Sequence, residues 1–127
     1  MPRFNVESYL VSHLASEFPD ATVRARVPDP RPKRLIVVSR AGGHKLDSLR
    51  DRPGVHLFVY GGTEWETSEL AAEVADAMLA LNRSDAAMLA GIDRVDEETM
   101  RSEPDTQTKP DTPRWFLSFT LTTHAYQ

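Results

Sequence analysis

Four side chains that could perform acid–base chemistry stand close together in the sequence. His44, Asp47, Asp51 and His56 supply two imidazoles and two carboxylates. Such groups transfer protons in catalysis when the fold pairs them. Their spacing fixes no such geometry, and no second half of a catalytic constellation accompanies them. We therefore predict that no residue is catalytic and that the chain is not an enzyme.

The turn Gly61-Gly62-Thr63 precedes a predicted helix and could bind an anion, because a helix N-terminus offers free backbone N–H groups. However, Glu64 and Glu66 would repel a phosphate, and no Walker lysine or Gly-x-Gly-x-x-Gly spacing is present. Thr63 and Glu66 have instead the spacing of a capping box, which satisfies these donors within the chain. The pattern therefore predicts a structural turn.

Metal and cofactor chemistry has little support in the composition. The chain contains no cysteine and four histidines. Without cysteine there are no disulfides, no thiol catalysis and no cysteine-based zinc sites, so a metal would have to rely on carboxylates. The serines lack the Gly-x-Ser-x-Gly context of a nucleophile. We predict no metal and no cofactor.

The pattern over residues 52–81 predicts a buried strand that leads directly into an amphipathic helix. We expect this unit to form the centre of the fold. Large apolar residues lie on both faces of the strand, so it belongs inside a sheet. In the helix, apolar residues recur on one stripe. The strand residues are Val55, Leu57, Val59, Phe58 and Tyr60, and the stripe is Leu70, Val74, Ala77, Met78 and Leu81.

Before this segment the pattern predicts one helix and two strands. Asn5 caps a helix that runs to Phe18, and an alternating strand with a basic outer face spans residues 21–27. Three prolines within residues 28–32 make a stiff link to a second strand, residues 34–40. A polar loop begins at Ala41 and runs to Asp51. Because this loop is short, we expect the strands on either side of it to pair antiparallel.

After the central helix the pattern predicts a short turn at residues 86–89, a weak strand over 92–102, a polar and mobile segment over 103–113, and a last strand over 114–126. The order is helix, three strands, helix, two strands. We therefore predict one domain, residues 1–127, of the α+β class. Its mainly antiparallel sheet has about five strands, with two main helices packed on one face.

The composition is ordinary for a soluble globular protein, with 40% hydrophobic and 27% charged residues. No apolar run approaches the roughly 20 residues of a membrane span, and no charged-then-apolar leader is present. We expect a cytoplasmic protein with no membrane partner.

The net charge of −4 conceals a segregation of charge along the chain. Nine of the fifteen basic residues lie between residues 24 and 52, and thirteen of the nineteen acidic residues lie between residues 64 and 111. The nine basic residues are Arg24, Arg26, Arg31, Lys33, Arg34, Arg40, Lys45, Arg50 and Arg52.

Two interpretations of the basic region are open. It could track a nucleic-acid backbone in a small nucleic-acid-binding module. Alternatively, it could face the acidic region of an identical subunit, in a head-to-tail contact that closes into a ring if the rotation allows. We favour self-association, because no aromatic residues interleave with the basic region and the chain as a whole is acidic.

Several short motifs, taken in their order, resemble one protein family, the tail terminator (tail completion) proteins of long-tailed phages, particularly those of actinobacterial hosts. The resemblance covers nearly the whole chain, and the order of the motifs carries it. The motifs are Val-Glu-Ser-Tyr-Leu-Val-Ser-His-Leu at residues 6–14, Arg-Val-Pro-Asp-Pro-Arg-Pro at 26–32, Arg-Ala-Gly-Gly at 40–43, Asp-Arg-Pro at 51–53 and Asp-Thr-Pro-Arg at 111–114.

The resemblance implies a structural virion protein without catalytic residues. Members of the family assemble as a ring, usually a hexamer, which docks on the head-proximal end of the tail tube, stops its polymerisation and presents a joining surface to the head. The implied partners are copies of this chain, the tail tube protein and the head–tail connector protein. Nucleic acid would only pass through the ring lumen. The implied location is the virion tail, and the host cytoplasm during assembly.

We expect basic residues of one subunit to face acidic residues of the next, and exposed loops to contact the other tail and head proteins. The expected subunit interface contains Arg24, Arg26, Arg31, Lys33, Arg34, Glu69, Glu73 and Asp76. The expected partner-contact loops contain His44, Lys45, Asp105 and Lys109.

Overall fold

A computed structural model describes residues 4–124 as helices packed on one five-stranded sheet. This confirms the predicted α+β class. The elements are α1 (Val6–Glu17), β1 (Thr22–Arg24), β2 (Leu35–Lys45), β3 (Arg50–Tyr60), α2 (Glu64–Ala80), a 3-10 turn (Leu81–Arg83), α3 (Asp85–Ala90), β4 (Ile92–Ser102) and β5 (Trp115–His124).

The strand order in the sheet is β1-β2-β3-β5-β4. The predicted antiparallel pairing of β2 with β3 is confirmed, and β3–β5 and β5–β4 are antiparallel as well. Only β1 is parallel to its neighbour, β2. The strand predicted to lie inside the sheet, β3, is its middle strand.

The main core lies between the helices and one face of the sheet. There Val55, Leu57 and Val59 of β3 are completely buried. They share this core with residues of α1 and α2, namely Val6, Leu10, Leu14, Leu70, Ala71, Val74, Ala75 and Met78. A smaller apolar cluster lies on the opposite face, formed by Leu35, Val37 and Tyr60, with Phe58 packed against it. Both faces of β3 therefore carry apolar side chains, as predicted.

The turn between β3 and α2 has the predicted capping box. The Thr63 backbone N–H donates to Glu66 Oε1 (3.1 Å), and the Glu66 backbone N–H donates to Thr63 Oγ1 (3.1 Å). At Gly61 the backbones approach so closely that an added Cβ would lie 2.9 Å from Thr67 Cα. The buried Thr67 hydroxyl donates to the Thr63 carbonyl (2.7 Å) and accepts from Gly61 N–H (3.2 Å). This hydrogen bonding accounts for the turn as a structural one.

The first strand is shorter than predicted. The expected strand over residues 21–27 contains only the three residues of β1, and the exposed fraction of Val27 is 51%. Because β1 and β2 are parallel, the chain between them must run back along the sheet before β2 begins. Residues 25–34 leave the sheet to make that connection, so the alternation beyond Arg24 is not a strand.

The prediction of a polar loop from Ala41 to Asp51 is wrong for most of these residues. β2 continues to Lys45 and β3 begins at Arg50, which leaves a turn at residues 46–49. A register shift between Arg40 and Gly43 marks a bulge, and Gly42 and Gly43 have φ of 87° and 93°. The glycines therefore form a bulge within a strand, not a loop.

The segment over residues 103–113, which was expected to be mobile, forms a small hairpin held by hydrogen bonds. Asp105 and Thr112 exchange two backbone hydrogen bonds of 2.8 and 3.1 Å. Glu103 N–H donates to the Arg114 carbonyl (2.8 Å), and Arg114 Nε donates to the Glu103 carbonyl (2.9 Å). The two ends of the segment are therefore hydrogen-bonded to each other.

The remaining elements agree with the sequence. β4 has the predicted bounds, α3 lies where a short turn was expected, and Asn5 caps α1 by accepting from Ser8 N–H (3.0 Å). The predicted last strand is confirmed to His124, and its predicted residues Ala125 and Tyr126 lie outside the described residues.

Replacing Leu57 by alanine should reduce the free energy of unfolding by about 2–5 kcal/mol, because the side chain is completely buried in the middle strand. Urea denaturation of the monomer measures the change. The control is Leu89→Ala, since Leu89 has an exposed fraction of 70% and its truncation should change the value by less than about 0.5 kcal/mol. Equal losses in the two variants would contradict this core.

The capping box also predicts a dependence on pH. The hydrogen bonds from the Thr63 backbone N–H and side chain, and then the charge of Lys33, lower the pKa of Glu66 below its ordinary value of 4.5. Because the folded pKa lies below the unfolded one, ionised Glu66 stabilises the fold above pH 4.5, and this stabilisation is lost as the pH falls through the folded pKa.

We therefore expect the difference in Tm between the natural chain and Glu66→Gln to be larger at pH 7 than at pH 3. Thermal unfolding followed by circular dichroism measures both values. A difference that does not change with pH would show that the charge of Glu66 makes no contribution.

Candidate subunit interface

The acidic residues predicted for the interface lie on the exposed side of α2. Glu69 and Glu73 line a groove of about 470 Å³ between the end of α1 and the start of α2, and Asp76 is exposed further along the helix. We call this the acidic groove. Trp65, with an exposed fraction of 70%, stands at its rim. The other charged residues that line it are Glu17, Asp20, Glu66 and Arg34.

Arg31, predicted for the subunit interface, contacts its own chain on the sheet face opposite the helices. Its Nη1 lies 3.7 Å from Asp105 Oδ2, and its Nη2 donates to Thr112 Oγ1 (3.3 Å). Its guanidinium lies 4.7 Å from the centre of the Tyr60 ring, within the range of a cation–π contact. Arg31 therefore connects the proline-rich link to the hairpin at residues 103–114.

Two further basic residues predicted for the interface also have carboxylates of their own chain nearby. Lys33 Nζ lies 3.8 Å from Glu66, and Arg34 Nε lies 3.3 Å from Asp20 without the geometry of a hydrogen bond. These pairs are partly exposed, and such ion pairs contribute little to stability. Arg34 also lines the acidic groove, together with Glu69 and Glu73 of the same chain.

The first two basic residues of the predicted interface are exposed. Arg24 Nη1 donates to the carbonyl of Val23 (2.9 Å). Neither Arg24 nor Arg26 forms an ion pair with another described residue of the chain. These two cations are therefore the members of the basic set that remain available to an acidic partner.

A layer of arginine and aromatic side chains covers the sheet face without helices, and the sequence pattern did not predict it. Three guanidinium groups lie over three rings, with distances to the ring centres of 4.4–4.7 Å. The alternation of aromatic residues in β3 and β5 was the available signal, but the arginines come from distant segments. The pairs are Arg31 on Tyr60, Arg101 on Phe116 and Arg114 on Phe58.

β2 has an unpaired outer edge at its C-terminal end. β1 pairs with β2 only from Leu35 to Val37, so no described strand lies beside residues 38–45. The Glu7 carboxylate accepts from the outward Arg40 N–H (3.0 Å), but residues 41–45 are exposed. We call residues 41–45 the free β2 edge. It contains His44 and Lys45, which were predicted to lie in a loop.

The opposite side of the sheet ends in β4, and no strand within residues 4–124 pairs with its outer edge. The Asn82 amide satisfies both backbone groups of Val95, donating to its carbonyl and accepting from its N–H at 2.8 Å each. No described strand or side chain covers the backbone in the same way from residue 97 to 102. We call residues 97–102 the free β4 edge. It includes Glu97 and Glu98, neither of which has an ion pair with a described residue.

The other two predicted partner-contact residues lie in the hairpin at residues 103–114. Asp105 faces inward, because its carboxylate lies near Arg31 and accepts from the Tyr60 hydroxyl (3.3 Å). Lys109 is exposed at the tip of the hairpin. Lys109 is therefore accessible to another protein, and Asp105 holds the hairpin to the sheet.

Within residues 4–124, no group of three or more histidine, aspartate or glutamate side chains is placed to hold a metal ion. No helix in that range is long and apolar enough to cross a membrane. No protein-family model matches the chain, and comparison with curated proteins finds no match.

The buried ion pair between Arg40 and Asp51, next to the free β2 edge, provides a test of the structure in this region. Arg40 donates to both carboxylate oxygens of Asp51 at 2.7 and 3.3 Å, and Asp51 is only 3% exposed. Arg40→Met should reduce the free energy of unfolding by about 3 kcal/mol, because it removes a cation that is hydrogen-bonded to both oxygens of a buried carboxylate. The double variant Arg40→Met, Asp51→Leu should lose less, since no buried charge is left.

Urea denaturation of the two variants measures the difference. A double variant that is less stable than the single variant would contradict a buried pair whose desolvation is costly.

Proposed function

We propose that this chain is a structural protein of a phage tail. Copies of it assemble into a ring that caps the head-proximal end of the tail tube, ends tail polymerisation and joins the tail to the head connector. The order of the sequence motifs along nearly the whole chain supports this family resemblance. The protein would act in the virion tail and assemble in the host cytoplasm.

The observation that carries self-assembly is that unpaired charges of opposite sign lie on different surfaces of one small domain. Arg26, Lys45 and Arg52 have no ion pair with a described residue, and neither do Glu69 and Glu73. A surface that is basic in one region and acidic in another is complementary to a second copy of itself. Complementary charge also directs the encounter and fixes the orientation of the subunits. A head-to-tail contact of this kind generates a ring when its rotation closes.

Within this proposal the residues predicted for the subunit interface differ in how readily they could contact a neighbouring subunit. Arg24 and Arg26 are the cations best placed to meet Glu69, Glu73 and Asp76 of a neighbouring subunit. Arg31, Lys33 and Arg34 have carboxylates of their own chain within 4 Å and would have to exchange them. The tail tube and connector proteins would meet exposed residues such as His44, Lys45 and Lys109.

The alternative, a nucleic-acid-binding module, has less support. Five of the nine basic residues between 24 and 52 lie within 4 Å of a carboxylate of the same chain, and these are Arg31, Lys33, Arg34, Arg40 and Arg50. Such neighbours reduce the positive potential available to phosphates. Binding to DNA that weakens steeply with rising salt would favour this alternative.

Self-assembly should weaken when charges at the proposed interface are reversed. We expect Arg24→Glu with Arg26→Glu to shift the chain toward monomers without unfolding it, because both side chains are exposed and have no carboxylate partner among the described residues. Light scattering, with and without purified tail tubes, measures the assembled mass. The matched control is Arg83→Glu, another exposed cation without an ion pair among the described residues, which should leave assembly unchanged.

Electron microscopy of tail tubes with the protein added tests capping directly. We expect density at one end of each tube and no further lengthening when tail tube protein is supplied. A chain that stays monomeric at every salt concentration, and also in the presence of tail tubes, would refute the ring.

A further inference from the structure

The five-stranded sheet ends on both sides in backbone that no strand of the described chain covers. On one side lies the free β2 edge, residues 41–45, and on the other the free β4 edge, residues 97–102. An exposed edge presents N–H and C=O groups that pair readily with another strand. Adding a strand to such an edge is a common mode of protein recognition.

We propose that neighbouring copies of this chain join strand to strand, with the free β2 edge of one copy pairing with the free β4 edge of the next. The partner is thus a second copy of this chain, and the contact is made by backbone hydrogen bonds as well as by side chains. This inference rests on the proposed self-assembly and adds a backbone contact to the charged side chains proposed for it above.

The strand directions permit this contact. β2, β3, β5 and β4 are antiparallel to one another in succession, so β2 runs opposite to β4. When two copies stand side by side in the same orientation, the β2 edge of one copy therefore meets the β4 edge of the other antiparallel. The alternation within each sheet then continues across the contact. Copies related by rotation about an axis to which the strands are tilted would share one orientation around that axis, as a ring requires.

The charges of the two edges make this pairing specific. Lys45 lies on the β2 edge, and Arg52 lies beside it on β3, paired across from His44. Glu97 and Glu98 lie on the β4 edge. Cross-strand pairs of opposite charge stabilise a sheet, and like charges directly opposite destabilise it. Two β2 edges would bring like charges together, whereas a β2 edge and a β4 edge bring Lys45 toward Glu97 and Glu98. The β4 edge also contains Arg101, whose guanidinium lies over the Phe116 ring and 3.4 Å from Glu103.

The free β2 edge and the free β4 edge lie at different positions along the strand direction. The β2 edge is level with the beginning of β4, because Lys45 pairs with Asp51 and Ile92 pairs with Thr123, the residue that pairs with Asp51. The β4 edge lies farther along the strand. Neighbouring subunits would therefore be staggered by about four residues, or roughly 13 Å. Strand tilt produces a stagger of this kind when a sheet closes on itself.

The absence of natural cysteine makes disulfide trapping a direct test. Each double variant carries one cysteine on each edge, at His44 or Lys45 and at Glu97 or Glu98. Within one chain these positions are three strand spacings apart, about 14 Å, and a disulfide needs Cα atoms about 4.4–6.8 Å apart. Oxidation can therefore link them only between chains. We expect a ladder of covalent oligomers in at least one of the four combinations, ending at a fixed number of subunits.

The matched control pairs Glu98→Cys with Leu89→Cys, which is exposed on α3 and away from the β2 edge. This variant should give no ladder. A second measurement uses the unaltered chain, so it does not depend on the variants folding. Amide hydrogen exchange at residues 41–45 and 97–102 should be about tenfold or more slower in the assembled protein than in the monomer.

The outcomes separate this inference from the proposed function. If light scattering shows assembly, but no combination forms a ladder and neither edge gains protection, the strand-to-strand contact is refuted and the ring proposal stands. If the ladder forms but the protein does not cap tail tubes, the contact is supported and the proposed function fails. Protection of the β2 edge alone, with DNA or another protein bound, would overturn the assignment of a second copy as the partner.

Discussion

β3 lies between β2 and β5, and the fold depends on the complete burial of the side chains on one face of this strand. Burial of Val55, Leu57 and Val59 contributes about 1.5–3 kcal/mol for each side chain. The covering helix, α2, follows at once, because Gly61 lets the chain pass within contact distance of Thr67. The capping box then satisfies backbone donors that the sharp turn leaves open. Strand, turn and helix therefore act as one unit that orients the rest of the sheet.

The two faces of the sheet are covered by different means. Helices cover one face, whereas guanidinium groups lie over the rings of Phe58, Tyr60 and Phe116 on the other. Arginine can do this because its planar group stacks on an aromatic ring while remaining charged. With both faces covered, the lateral edges are the part of the sheet whose backbone remains open. Glu7 and Asn82 cap single positions on these edges and leave the neighbouring residues exposed.

The segregation of charge along the sequence does not translate directly into two surfaces. Five of the nine basic residues between 24 and 52 have carboxylate neighbours, and some of those carboxylates are far away in sequence, as Asp105 is from Arg31. The candidate interface could thus be predicted only in part. Exposure of Arg24, Glu69 and Asp76 follows from their positions on elements with local periodicity, whereas Arg26 lies in the connection after β1. The free edges could not be predicted, since an edge is defined by the strands that are missing beside it.

The sequence alone determined the elements whose signals are local: the capped helix α1, the buried strand β3, the capping box of α2 and the bounds of β4. Each depends on side chains within a few positions of one another. Only the tertiary structure decided the short parallel β1, the continuation of β2 through Gly42 and Gly43, and the arginine–aromatic pairs. These features depend on which distant segment lies alongside, because hydrogen bonds between strands and contacts across a sheet join residues that are far apart in the chain.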